Sequence, residues 1–129
     1  MSNLSALEND VLKVDLDPNF PRIMKYLYKP TDGILYGSLP EEPRVIKING
    51  VEFNVNSFEV KPKFSRDAAK YDLYIHIPSG HLSFDVSFCL EDNAVIMIID
   101  NITEKCFNFL LRTIYFPKHR LLTGTRSDG

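Results

Sequence analysis

The sequence predicts an all-β, antiparallel sandwich without helix, and three observations predict it. Turn signals recur at short intervals, and the runs between them either alternate or are uniformly apolar. No stretch carries the 3.6-residue apolar period of an amphipathic helix. Two pairs of runs also match each other residue by residue across tight turns, as the arms of β-hairpins do.

Taken in order, Leu12, Val14 and Leu16 alternate with Lys13, Asp15 and Asp17, the mark of a half-buried strand. Asp17-Pro18-Asn19-Phe20-Pro21 breaks it. Residues 23–28 form a second run closed by Pro30-Thr31-Asp32-Gly33, and residues 34–36 a short third ending at Gly37. Asn49-Gly50 suits a type I′ turn, which needs positive φ at both central positions. Pairing across it sets Ile48 opposite Val51, Ile46 opposite Phe53, and Lys47 opposite Glu52. A second hairpin is expected around Ser79-Gly80, with Ile77 facing Leu82, Ile75 facing Phe84, Leu73 facing Val86 and Tyr71 facing Phe88. Its other face then pairs His76 with Ser83, Tyr74 with Asp85 and Asp72 with Ser87, and a one-residue slip would destroy the match of apolar with apolar. Residues 90–93 read as a turn, 94–99 as an apolar strand, 100–105 as another turn, and 107–116 as a long aromatic strand ended by Pro117. Leu121-Leu122 starts a further run. Eight or nine strands result, in one domain at 10–125, with disordered segments expected at 1–9 and 126–129.

Composition fits this reading. A chain of 129 residues, 44% hydrophobic and 25% charged, has enough apolar material for one core without staples. A formal charge of −2 and a pI near 5.9 supply no concentrated basic field for nucleic acid or an anionic membrane. No window is long and apolar enough to span a bilayer as a helix, and residues 1–9 lack the blocks of a signal peptide. Cys89 and Cys106 lie in apolar runs and read as two buried free thiols; the alternative is a single bridge between them, which spacing alone does not establish.

The search for chemistry finds little. The three histidines, His76, His81 and His119, show no metal-ligand spacing, and no cofactor is expected. Asp92, Asp100 and Glu104 sit near turns but form no ordered calcium loop. Gly-rich phosphate cradles, nucleophile elbows and Cys/His constellations are absent, so the chain is expected to be non-catalytic. The polar face of the second hairpin is the one candidate site. There Asp72, Tyr74, His76 and Asp85 could meet sugar hydroxyls; an ordinary solvated sheet face would show the same pattern. With no Trp in the chain, stacking on a sugar would fall to Tyr and Phe.

Three segments together resemble a known family. They are residues 11–28 with their Asp17-Pro18-Asn19-Phe20-Pro21-Arg22 block, residues 34–37 ending in Tyr36-Gly37, and residues 45–51 with Ile48-Asn49-Gly50. Residues 109–117, running on through Leu121-Leu122, add a fourth. In order and spacing they resemble the galactose-mutarotase-like β-sandwich of the endo-α-N-acetylgalactosaminidases, glycoside hydrolase family 101. That resemblance implies part of a larger supersandwich, in a secreted or cell-surface bacterial enzyme that releases Galβ1-3GalNAc from mucin-type O-glycans. It implies a catalytic (β/α) barrel elsewhere in the parent and no catalytic residue in this chain. An incomplete sandwich would expose an apolar edge, so a homodimer is expected. The function implied is an accessory domain beside that barrel; the alternative is a carbohydrate-binding module for Gal/GalNAc glycans. Mutarotase activity would need an acid–base pair in a concave site, and the sequence identifies none.

Overall fold

The computed structural model describes residues 5–65 and 67–116, and these contain eleven strands and no helix. The first sheet runs in spatial order β1 (Ala6–Glu8), β2 (Leu12–Leu16), β3 (Ile23–Tyr28), β4 (Gly33–Tyr36). A three-stranded sheet holds β5 (Val45–Ile48) and β6 (Val51–Asn54), with β11 (Ile114–Tyr115) on the free side of β5. The second four-stranded sheet, in order β10-β9-β8-β7, comprises β7 (Phe58–Phe64), β8 (Ala68–Ile77), β9 (Gly80–Glu91) and β10 (Ala94–Cys106). Every pairing is antiparallel. Period-two alternation decides which side chains enter the core. Leu12, Val14 and Leu16 from β2, Ile46 and Ile48 from β5, and the alternate residues from Ala69 to Ile77 and from Leu82 to Phe88 pack as one cluster.

The first hairpin has the expected register, Ile48 facing Val51 and Lys47 facing Glu52. Asn49 and Gly50 both take positive φ, 52° and 83°, as a type I′ turn requires. The second hairpin corrects the sequence reading. Its turn is Pro78-Ser79, and the register is two residues away from the expected one: Ile77 faces Gly80, Ile75 faces Leu82, Leu73 faces Phe84 and Tyr71 faces Val86. A two-residue shift returns every side chain to the same face, so polarity matching cannot tell the two registers apart. What selects the observed one is Gly80. At φ 149° it lies against β10 so closely that a Cβ would stand 2.1 Å from the Lys105 carbonyl oxygen, and glycine therefore belongs in the ladder, not in the turn.

Other expectations shift too. Ala6–Glu8, within the segment expected to be disordered, pairs with β2 and buries Leu7. β7 went unread because Pro62 interrupts it; as an edge strand it tolerates the missing amide. Residues 100–105 do not end β10. Asn101, at φ 55°, absorbs an irregularity between Asp100 and Thr103, and pairing resumes to Cys106. Residues 107–116 form a ladder only at Ile114–Tyr115. The apolar side chains Phe109, Leu111 and Ile114 pack on the core while their backbone is held by the Asn49 side chain. Its Oδ1 accepts from the amides of Arg112 (2.6 Å) and Thr113 (3.0 Å), and its Nδ2 donates to the Leu110 carbonyl (2.8 Å). Cys89 and Cys106 are free and only half-buried. The runs at 121–122 and 126–129 lie outside the described residues.

The Asp17 block is a structural hub. Asp17, 2% exposed, receives Arg22 Nε at 2.8 Å and Arg44 Nε at 2.8 Å. The buried Tyr71 hydroxyl donates to its carbonyl at 2.7 Å, tying β8 to the β2–β3 connection. Burial alone would raise the Asp17 carboxyl. The hydrogen bonds from Arg44, the Asn19 amide and Arg22 outweigh it and hold the group below the usual aspartate range. Burial, then the Asp17 charge, pushes the Tyr71 phenol up.

Candidate functional site

The outward residues of the β7–β10 sheet stand in rows perpendicular to the strands. One row is Lys61, Asp72, Asp85, Asp100; the next is Glu59, Tyr74, Ser83, Thr103; the third begins at His76 and His81 and reaches Lys105. Between them lies a half-open groove of about 470 Å³. All four residues singled out from the sequence, Asp72, Tyr74, His76 and Asp85, line it, together with Glu59, Lys61, Ser83 and Asn101. The four were named on an expected register, and the observed one changes their neighbours. His76 directly faces His81, Tyr74 faces Ser83, and the two aspartates face each other.

That last juxtaposition dominates the electrostatics. Like charges on opposed rungs repel, so the pair titrates unevenly. The hydrogen bond with Asp85, reinforced by burial and by the Asp85 charge, raises the Asp72 carboxyl. Burial works to raise Asp85 as well, but hydrogen bonds from Asn101 and Asp72 and the charge of Lys70 outweigh it and hold Asp85 low. Asn101 Nδ2 donates to Asp85 Oδ2 at 2.6 Å, and Lys70 Nζ stands 3.4 Å from the same oxygen. Asn101 reaches over because the irregularity in β10 turns its backbone into the left-handed region. Along the other wall Tyr74 stacks on His81 (centroids 4.7 Å apart, 24° between planes) and meets His76 edge-on at 5.0 Å. His76 Nε2 lies 3.5 Å from Glu59 Oε2, an ion pair whenever the imidazole is protonated.

Asn101, Glu59 and Lys61 were missed in the sequence. The signal for Asn101 was there: Asp100-Asn101 is a pair that tolerates positive φ inside a strand as readily as in a turn. Glu59 and Lys61 depended on seeing β7. Among the described residues no group of three or more His, Cys, Asp or Glu side chains converges to hold a metal ion. A smaller depression of about 290 Å³ beside Arg22 and Arg44 has its guanidinium groups already engaged by Asp17.

Residues 7–128 match the model of the galactose mutarotase-like fold domain, and the chain belongs to that family. No curated protein matches it. The match agrees with the antiparallel all-β architecture and is consistent with a sugar-related, non-catalytic accessory domain.

Proposed function

We propose that this galactose mutarotase-like domain is the non-catalytic accessory sandwich of a glycoside hydrolase acting on mucin-type O-glycans, an endo-α-N-acetylgalactosaminidase-like enzyme at or outside the cell surface. In this reading it packs beside a catalytic barrel carried by the same parent protein. The observation that carries it is the β4 edge. Leu35 stands on the same face as its rung partner, the fully buried Tyr26, yet is itself 49% exposed. Ile34, Tyr36, Tyr28 and Leu39 are exposed around it. An open strand edge with apolar side chains on both faces is a surface that folded proteins normally cover. In the parent enzyme its cover is the neighbouring domain; in the isolated chain it is a second copy, which makes the free domain a homodimer.

The test has two parts. The isolated chain, incubated with mucin-type glycopeptides, should release no disaccharide, and the reading frame that encodes it should also encode a barrel. Release of sugar by the chain alone, or a parent protein without a catalytic domain, would overturn the proposal.

A further inference from the structure

We infer that two copies of this chain pair antiparallel along β4 about a two-fold axis at Leu35, with Ile34 of each opposite Tyr36 of the other. The β1–β4 sheets of the two copies then form one continuous sheet. The inference rests on the reading of β4 as a covered edge and goes beyond it to the register of the pairing.

The backbone fixes that register. The Gly37 amide donates to the Met24 carbonyl at 3.0 Å, and on the far side of β3 the Lys29 amide donates to the Val11 carbonyl at 2.8 Å. Backbone polar groups alternate sides along an antiparallel strand. Lys25 and Leu27 therefore turn theirs toward β2, while Tyr26 turns its own toward Leu35 on β4. Leu35 is occupied by that ladder, and the amides and carbonyls of Ile34 and Tyr36 point out of the open edge. Such an edge is a template for another strand. Opposed residues share a face of the sheet, so a two-fold copy must set residues of like parity against each other. Ile34 opposite itself satisfies one residue of each copy, and extending that ladder would need Asp32, which leaves the strand at φ 58°. Tyr36 opposite itself stops likewise at Ser38, whose amide already donates to the Ile23 carbonyl. Ile34 opposite Tyr36 is the register that pairs every outward group of both residues.

The side chains agree with it. All of β4 is exposed. In this register Leu35 meets the partner's Leu35 as a non-hydrogen-bonded pair, the close class with Cα atoms about 4.5 Å apart. The inner-face row Val14, Tyr26, Leu35 then runs on into the same row of the other copy. On the outer face Tyr36 lies across from the partner's Ile34, and an aromatic against a β-branched residue is a favourable cross-strand pair. Charge does not oppose the approach. β4 carries no charged residue, and Lys25, beside Tyr36 on β3, has Asp15 at 3.6 Å. The β7 edge is built differently: Glu59, Lys61, Lys63 and the missing donor at Pro62 guard it against pairing. So short a strand falls below the about 800 Å² per partner of a standard interface, and the dimer is accordingly concentration-dependent.

The test is amide hydrogen exchange on the whole chain in dilute and concentrated samples, with sedimentation run in parallel. Sedimentation should show a monomer–dimer equilibrium. The amides of Ile34 and Tyr36 should slow about tenfold or more in the dimeric sample, while that of Leu35, already turned toward β3, changes far less. Ile34→Pro removes one outward donor at a place where an edge strand tolerates proline, and should weaken dimerisation at least about tenfold. Independently of any variant, a sample mixing two isotope labels should show an NMR contact between the Leu35 α-protons of the two copies. The inference is overturned by a monomer at every concentration, by a dimer in which Ile34 and Tyr36 exchange as before, or by the absence of the Leu35 contact. Sugar release by the isolated chain, or a parent protein without a barrel, would remove the accessory role and leave this pairing in place.

Discussion

Replacing Asp17 with Asn tests the hub at the centre of the fold. The substitution keeps the side chain's shape and leaves Arg22, itself 5% exposed, without a carboxylate in a buried position. Arg22 would keep the bond from Nη1 to the Glu42 carbonyl at 2.9 Å, and the neutral Asn amide oxygen could at best accept a hydrogen bond without supplying the compensating charge. Breaking one side of a buried ion pair costs about 3–5 kcal/mol, because the remaining charge stays desolvated. For a domain of this size each kcal/mol is worth about 3–4 °C, so the melting temperature should fall by about 10–20 °C. Urea unfolding followed by circular dichroism would measure it, with the midpoint lowered and the slope unchanged. Arg44→Ala is the internal control. That guanidinium is 37% exposed but donates twice to the buried Asp17 carboxylate, so its loss should cost about 1.5–3 kcal/mol, less than Asp17→Asn because Arg22 still pairs the carboxylate. A second signature is pH. The Asp17 carboxyl is held below its unfolded value, so its contribution is complete above about pH 4 and is lost as pH falls through the folded value. The acid limb of the stability curve should therefore be steeper in the wild type than in Asp17→Asn. A loss below about 1 kcal/mol in Asp17→Asn would refute the reasoning, since it would mean that the carboxylate's desolvation cancels its two partners.

Three further perturbations probe separate parts of the structure. Gly37→Ala places a Cβ 2.3 Å from the Ile23 carbonyl oxygen; backbone cannot yield cheaply there, and a loss of about 2–3 kcal/mol is expected in thermal unfolding. Asn49→Ala removes the side chain that holds the 110–113 backbone and leaves a positive-φ alanine in the turn. Amide exchange at Arg112 and Thr113 should accelerate well beyond any global change, with about 1–2 kcal/mol lost overall. Leu35→Lys puts a charge on the open β4 edge. If the isolated domain dimerises there, sedimentation should show a monomer for this variant with stability within about 0.5 kcal/mol of wild type, because Leu35 is not part of the core. An undiminished dimer would move the interface elsewhere.

How much was legible depended on what each signal encodes. Faces were legible: alternation along Leu12, Val14, Leu16 and along β8 and β9 assigns inside and outside correctly whatever the register. The Asn49-Gly50 hairpin was legible to the residue, because its turn type is set locally by two residues at positive φ. The Pro78-Ser79 hairpin was not, because the constraint that fixes it is the approach of Gly80 to Lys105 and Cys106, about 25 residues away along the chain. That error had a functional consequence. Asp72, Tyr74, His76 and Asp85 could be placed on one face from periodicity, and they do line one groove. The feature that gives the groove its chemistry, however, is two carboxyls on opposed rungs, and this follows only from the true register. In the expected register Asp72 meets a serine and nothing distinguishes it from a solvated surface residue. Asn101 illustrates the same limit from the other side. Asp-Asn signals a left-handed turn, and β10 uses that backbone conformation to continue the strand and to aim an amide at Asp85. Long-range pairing converts a local turn signal into a positioning device, and no reading confined to neighbouring residues separates the two outcomes.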